Sequence, residues 1–141
     1  MKAPVWVLPE AVRALHERLL SEFGGAAGLR DDTLLASALA RPAQRLADGS
    51  PSLPELAAAY AFGLVRDHPF VDGNKRIGLA TAILFLELNG DRFTAAEVDA
   101  MVQTLALAAH ELDEAGYAAW LGANCQPRRS RLSRRKPLGR K

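Results

Sequence analysis

Cysteine is nearly absent. Cys125 is the one thiol in the 141 residues, so no disulfide can close within the chain, and the framework suits a reducing cytosol. Aromatic residues are scarce at 6% and none follows Trp120, so the C-terminal stretch offers no stacking platform for nucleic-acid bases. Long hydrophobic runs are missing. Ile77–Leu86 is apolar and charge-free, about half the roughly 20 residues a bilayer requires. No leader peptide is expected, because the apolar run Val5–Leu8 is cut short by Pro9 and Glu10. One Cys and three widely spaced His cannot compose a zinc constellation. The glycine cluster Gly24-Gly25-Ala26-Ala27-Gly28 lacks the Gly-Lys-Ser/Thr ending of a P-loop and reads as a turn. The expected location is the cytoplasm, with no membrane partner.

What is present describes one globular domain. Apolar residues make up 49% and charged residues 24% of the chain, ordinary values for a length that buries a core unaided. The formal net charge of +2 conceals a division. Residues 1–125 carry 16 acids against 10 Lys and Arg, while residues 126–141 carry 8 Lys and Arg and no acid. The expected organisation is a folded domain over 1–125 and a basic, disordered tail over 126–141. Nucleic acid is expected as a partner only through that tail.

Helical periodicity dominates. Val12, Leu15, Leu19, Leu20 and Phe23 form one stripe over residues 9–23, begun by Pro9 and stopped by Gly24-Gly25. A second helix is predicted over 31–40, ended by Pro42. A Ser52-x-x-Glu55 capping box opens a third, running to Asp67. Its small face of Ala57, Ala61, Leu64 and Val65 admits a close neighbour. Pro69 breaks the helix at His68, and a new one begins near Asn74. It is apolar on every side from Ile77 to Leu86, the pattern of a central helix. Arg92-Phe93 reads as a short extended piece. Thr94-x-x-Glu97 reads as another capping box, opening a helix to His110, and a last helix spans 114–123. The expected fold is an all-α, single-domain bundle around the 75–89 helix, with room for one small hairpin.

One segment concentrates chemistry: His68-Pro69-Phe70-Val71-Asp72-Gly73-Asn74-Lys75-Arg76. It runs from a turn into the start of an apolar helix, whose first amides lack internal partners and carry the positive end of the dipole. A glycine there lets a phosphate approach the backbone. Asn74, Lys75 and Arg76 add donors and charge. Asp72 beside a polyphosphate makes sense as the holder of a divalent ion, for phosphates usually magnesium. His68 is the group that takes a proton near neutral pH. Each residue alone is commonplace as a cap, a turn or a solvated helix start. Together they point to transfer from a nucleotide to a hydroxyl.

This segment resembles the signature of the Fic/Doc family, His-Pro-Phe-x-x-Gly-Asn-Gly-Arg with a second Arg three residues on. Here Lys75 replaces the second Gly and Leu79 the second Arg, and Asn-Lys-Arg is the form of the Doc (death-on-curing) branch. Gly28-Leu29-Arg30-Asp31, Leu35–Leu39 and Phe85–Gly90 are also similar to Doc-type toxins, so the likeness covers roughly residues 5–122. The resemblance implies a toxin of a toxin–antitoxin pair. That toxin would move the γ-phosphate of ATP, with Mg2+, to a threonine of elongation factor Tu and stop translation. It implies that His68 is the general base, that Asp72 binds the metal, and that Gly73, Asn74, Lys75 and Arg76 hold phosphates. Arg30 falls in the region similar to the family's target-positioning flap, and Phe70 anchors the loop. The inhibitory pattern Ser/Thr-x-x-x-Glu-Gly/Asn of many relatives is missing, so an antitoxin acting in trans is implied. AMP transfer, as in Fic enzymes, and a non-catalytic partner-binding role remain as alternatives.

Overall fold

A computed structural model of the chain describes residues 3–128. Six helices follow one another: α1 (Pro9–Phe23), α2 (Asp32–Ala47), α3 (Leu53–Asp67), α4 (Asn74–Leu88), α5 (Glu97–Ala108) and α6 (Glu114–Ala123). Two short strands, β1 (Asp91–Phe93) and β2 (Cys125–Pro127), complete the fold. The expected all-α architecture holds.

The local signals act as their chemistry requires at most ends. Asp31 caps α2 by accepting from the Leu34 N–H, and Asp113 caps α6 by accepting from Gly116. The Ser52–Glu55 box forms in both directions, and the Ser52 amide and hydroxyl hold the Glu55 carboxyl below its usual range. Small side chains bring α3 against its neighbours. A Cβ added to Gly78 would lie 2.9 Å from Val65 Cγ2.

Four expectations are corrected. Pro42 does not end α2 but lies buried inside it. The Ala38 carbonyl, whose partner Pro42 cannot supply, faces Gly63, where an added Cβ would meet it at 3.1 Å. The Thr94–Glu97 box does not form. Thr94 bonds the Asn124 carbonyl through both its amide and its hydroxyl, leaving Ala96 as an uncapped N-terminus for α5. The deepest helix is α3, buried almost continuously from Leu56 to Val65, rather than the 75–89 helix. On its α1 side α4 meets Ala11 and Ala14, too small to close the contact, and a groove of about 450 Å3 remains. The strands are no hairpin. β1 pairs antiparallel with β2, Phe93 opposite Cys125 and Asp91 opposite Pro127. The ribbon therefore takes in Gln126 and Pro127, which composition assigns to the tail. The Arg128 amide bonds the Gly90 carbonyl at 2.6 Å, and residues 129–141 of that basic tail lie outside the described residues.

The core gathers Leu56, Tyr60, Leu64, Ile77, Phe85, Leu86, Tyr117 and Leu121. Asn89 ties the N-terminal segment to the end of α4 by exchanging bonds with the backbone of Val5. Glu114 of α6 receives Arg41 and Arg45 of α2. Burial pushes the Tyr117 hydroxyl up to about 12, even though it bonds Thr104 Oγ1 at 2.8 Å. Among the described residues no helix is long and apolar enough to cross a membrane.

Candidate active site

The α3–α4 connection is His68–Gly73. Pro69 cannot continue a helix, and His68 caps α3 in the left-handed region at φ 50°. Such a conformation is uncommon for a residue with a Cβ. It is held from outside by the chain that follows α1. Arg30 donates from Nε to the His68 carbonyl at 2.7 Å and from an Nη to the Asp67 carbonyl at 2.9 Å. Backbone bonds add to this clamp, with the Arg30 and Asp31 amides donating to Pro69 and the Val71 amide to Gly28. Leu29 and Phe70 form a single antiparallel bridge. The Arg30 guanidinium is thus engaged with the His68–Gly73 loop itself. This side chain, expected to meet the target, positions His68.

Asn74 organises the loop from the other side. Its Oδ1 accepts from the Phe70 amide at 3.1 Å and its Nδ2 donates to the Phe70 carbonyl at 3.0 Å. Only 5% of Asn74 is exposed, so the amide side chain shapes the loop and leaves the backbone N–H to meet a ligand. Nδ2 also lies 3.4 Å from His68 Nδ1, a contact too long to impose a tautomer on the ring.

The first turn of α4 is open. Gly73 at φ 79° is its N-cap and provides no side-chain cap. The amides of Asn74, Lys75 and Arg76 find no acceptor among the described residues. These amides, with His68, Asp72, Lys75, Arg76, Val71 and Met101 of α5, line one cavity of about 440 Å3. Every residue predicted for catalysis, metal and phosphate lies on it; Arg30 does not. One carboxylate faces a lysine, an arginine and a histidine, so the cavity favours anions. Arg76 is preset: its guanidinium carbon sits 3.9 Å above the Phe23 ring, a cation–π contact that orients the fork.

Asp72 is exposed. Its Oδ1 accepts from the Gly73 amide at 2.9 Å and its Oδ2 from the Ala26 amide at 3.3 Å. Each oxygen keeps a lone pair for a cation. No group of three or more His, Cys, Asp or Glu that could hold a metal occurs among the described residues. Asp72 fits a magnesium ion completed by substrate phosphates and water, the usual arrangement for a nucleotide-bound ion.

Sequence reasoning left His16 without a role. It is 3% exposed, its ring stacks on Phe70 with centroids 3.7 Å apart, and its Nε2 donates to the Asp72 carbonyl at 2.7 Å. The signal existed, because position 16 falls on the same helical stripe as Val12, Leu19 and Leu20. Phe23 lies on the same stripe, whereas Met101 carried no comparable sign.

Comparison with known proteins agrees with this geometry. A family model of the Fic/DOC family matches residues 6–86, more than half of the chain. The chain is 36% identical over 85 residues to "Protein kinase doc" of Escherichia phage P1, covering 60% of this chain and 68% of that protein. It is 44% identical over 75 residues to "Toxin Doc" of Mycolicibacterium smegmatis, covering 52% of this chain and 58% of that one. With the His68–Arg76 signature folded around an open helix N-terminus, the chain belongs to the Fic/DOC family.

Proposed function

We propose that this chain is the toxin of a toxin–antitoxin pair and a protein kinase, transferring the γ-phosphate of ATP to a threonine hydroxyl of elongation factor Tu. The observation that carries the reading is the 440 Å3 cavity, which joins a proton acceptor, a carboxylate, two cations and three unpaired amides. The relatives' names, a protein kinase and a toxin, support it.

The terminal phosphates lie against the amides of Asn74, Lys75 and Arg76, where fixed dipoles stabilise charge without reorganising. Lys75 and Arg76 neutralise the phosphate oxygens. Asp72 would hold magnesium, which would supply further charge neutralisation when bound. His68 takes the proton of the acceptor hydroxyl, the hydroxyl oxygen bonds to the γ-phosphorus, and the bridging oxygen leaves with its electron pair on ADP. Arg30 and Asn74 hold the loop on which this geometry depends.

Transfer of the terminal phosphate is favoured over AMP transfer by position 79. Leu79 is half-buried on α4, so no second guanidinium stands one turn into the helix, and Lys75 places its charge at the mouth instead. The inhibitor is a separate antitoxin chain, and the site of action is the cytoplasm.

The test is incubation of the protein with elongation factor Tu, magnesium, and ATP labelled at either the α- or the γ-phosphate, beside a His68→Ala variant. Label from γ-ATP alone, lost in the variant, is expected. Label from α-ATP would establish AMP transfer and refute the argument from Lys75 and Leu79.

A further inference from the structure

Phe23 is the one aromatic ring among the described residues that lies exposed. It closes α1, is 45% exposed and takes no part in the core. Its ring meets a charge instead, with the Arg76 guanidinium carbon 3.9 Å from its centre. Three residues on, the Ala26 amide donates to Asp72 Oδ2 at 3.3 Å. Gly25, between them, allows this segment to lie so close. A Cβ there would stand 3.0 Å from the same Asp72 oxygen. The short segment from Phe23 to Ala26 thus holds a cation and a carboxylate of the phosphate cavity.

Those two groups attract each other. Arg76 follows Asp72 by four residues at the start of α4, and both line one cavity. An acid placed four residues before a base, about one helical turn apart, is the favourable order for an ion pair. Here no salt bridge joins them, and neither is paired with another charged side chain among the described residues. The Asp72 oxygens accept from the Gly73 and Ala26 amides, and the guanidinium lies on the Phe23 face. An ion pair would disable both groups. The fork would direct its donors at the protein's own carboxylate, and the carboxylate would give its remaining lone pairs to the fork. An exposed cation–π contact and an exposed ion pair are each worth about two- to fivefold in an equilibrium. The two arrangements are therefore close in stability, and one side chain can decide between them.

We propose that Phe23 is a positioning residue that keeps Arg76 apart from Asp72, so that the arginine stays open to a phosphate oxygen and the carboxylate to a cation. The inference deepens the reading of this cavity as a nucleotide site and rests on it for the ligands. The separation itself is a property of the protein's own side chains.

The experiment is a cycle of variants in the full chain: Phe23→Leu, Asp72→Asn and the two together, with Phe23→Tyr as the conservative replacement. The first measurement needs no ligand. The Arg76 Nε–Hε resonance, assigned by its loss in Arg76→Lys, reports the ring current of Phe23 in a nitrogen–proton correlation spectrum. Phe23→Leu should shift it, and Phe23→Tyr should leave it near its place. Asp72→Asn should move it far more in the Phe23→Leu background than in the parent, because only there does the guanidinium lie on the carboxylate. The second measurement is ATP affinity by calorimetry in the presence of a metal chelator. Phe23→Leu should weaken it about two- to fivefold, while Phe23→Tyr stays within about twofold of the parent. In the Asp72→Asn background the leucine substitution should change it by less than about twofold, since Arg76 then has no carboxylate to join. A purely structural role for Phe23 predicts equal effects in both backgrounds. Equal effects in either measurement would overturn the proposal, as would an Arg76 resonance unmoved by Phe23→Leu. If the parent binds no ATP, the nucleotide reading fails, and the spectra still decide the separation.

Discussion

Replacing His16 by phenylalanine separates packing from hydrogen bonding beneath the phosphate cavity. In the parent, His16 Nε2 takes the Asp72 carbonyl at 2.7 Å. That carbonyl is the acceptor the Arg76 amide would use if α4 began one residue earlier. By turning it toward α1, His16 leaves the Arg76 amide unpaired and free for a phosphate. Phenylalanine keeps the ring against Phe70 and gives up the bond. The bond is part-buried, and the stability loss is the net value of one hydrogen bond, about 1 kcal/mol. For a domain of this size that lowers Tm by about 4 °C. The effect on transfer should be much larger. The loop carries both Asp72 and the amides, and a displacement of about 1 Å at reacting groups costs about 100-fold in rate. The expected result in the γ-label assay is therefore a fall in kcat of between ten- and a hundredfold, about 1.4–2.7 kcal/mol of barrier, alongside a small change in Tm by calorimetry. His16→Ala should show the same kinetic loss and a Tm lower still, since the stack on Phe70 goes too. A phenylalanine variant with kcat within threefold of the parent would refute the reasoning and leave His16 as a packing residue.

Other consequences are more local. Gly78→Ala should lower stability by about 1–2 kcal/mol despite the better helix propensity of alanine, because the new methyl meets Val65 at 2.9 Å and the Ala61 carbonyl at 3.2 Å; a rise in Tm would contradict this packing. Burial, then the Asp91 charge and hydrogen bond, push the Cys125 thiol from 9.0 up to about 11. Its thiolate fraction at pH 8 should be about 100-fold below that of an ordinary thiol, read as slow alkylation by iodoacetamide that speeds up on unfolding. Tyr117 is raised to about 12 by burial. A group with a raised folded pKa stabilises fully below its unfolded value near 10 and loses that contribution as pH climbs through the folded one. Denaturant midpoints should thus fall between pH 10 and 12, and less steeply in Tyr117→Phe.

That these residues line one cavity was legible because the motif is contiguous. His68 to Arg76 spans one turn and one helix start, so chain connectivity alone places these side chains together. α1 was legible because Val12, Leu15, Leu19 and Leu20 repeat on one face, and α3 because a capping box opens a run of small and apolar residues that is buried almost throughout. What escaped is tertiary in origin. Pro42 looks like a stop signal until Gly63, without a side chain, lets α3 pack close against the freed Ala38 carbonyl. Thr94 looks like a cap until Asn124, thirty residues on, competes for its hydroxyl. Arg30 carries no mark of its partners, since both are backbone carbonyls and any residue would provide them.

The placement of His68 shows why the loop needs so many anchors. A residue with a side chain at φ 50° stores strain of order 1–3 kcal/mol, and such a conformation persists where surrounding contacts over-determine it. Pro69 prevents relaxation into a longer α3. Arg30 binds the carbonyls on either side of the α3 terminus, and Asn74 binds both polar groups of the Phe70 backbone. Phe70 is 3% exposed and His16 stacks on it. The anchors come from the post-α1 chain, from α4 and from α1 itself, so the loop is fixed relative to three elements at once. That rigidity holds the His68 backbone from behind, at the rim of the cavity that Asp72, Lys75 and Arg76 also line. A site on such a mount gains because no ligand has to order the loop on binding.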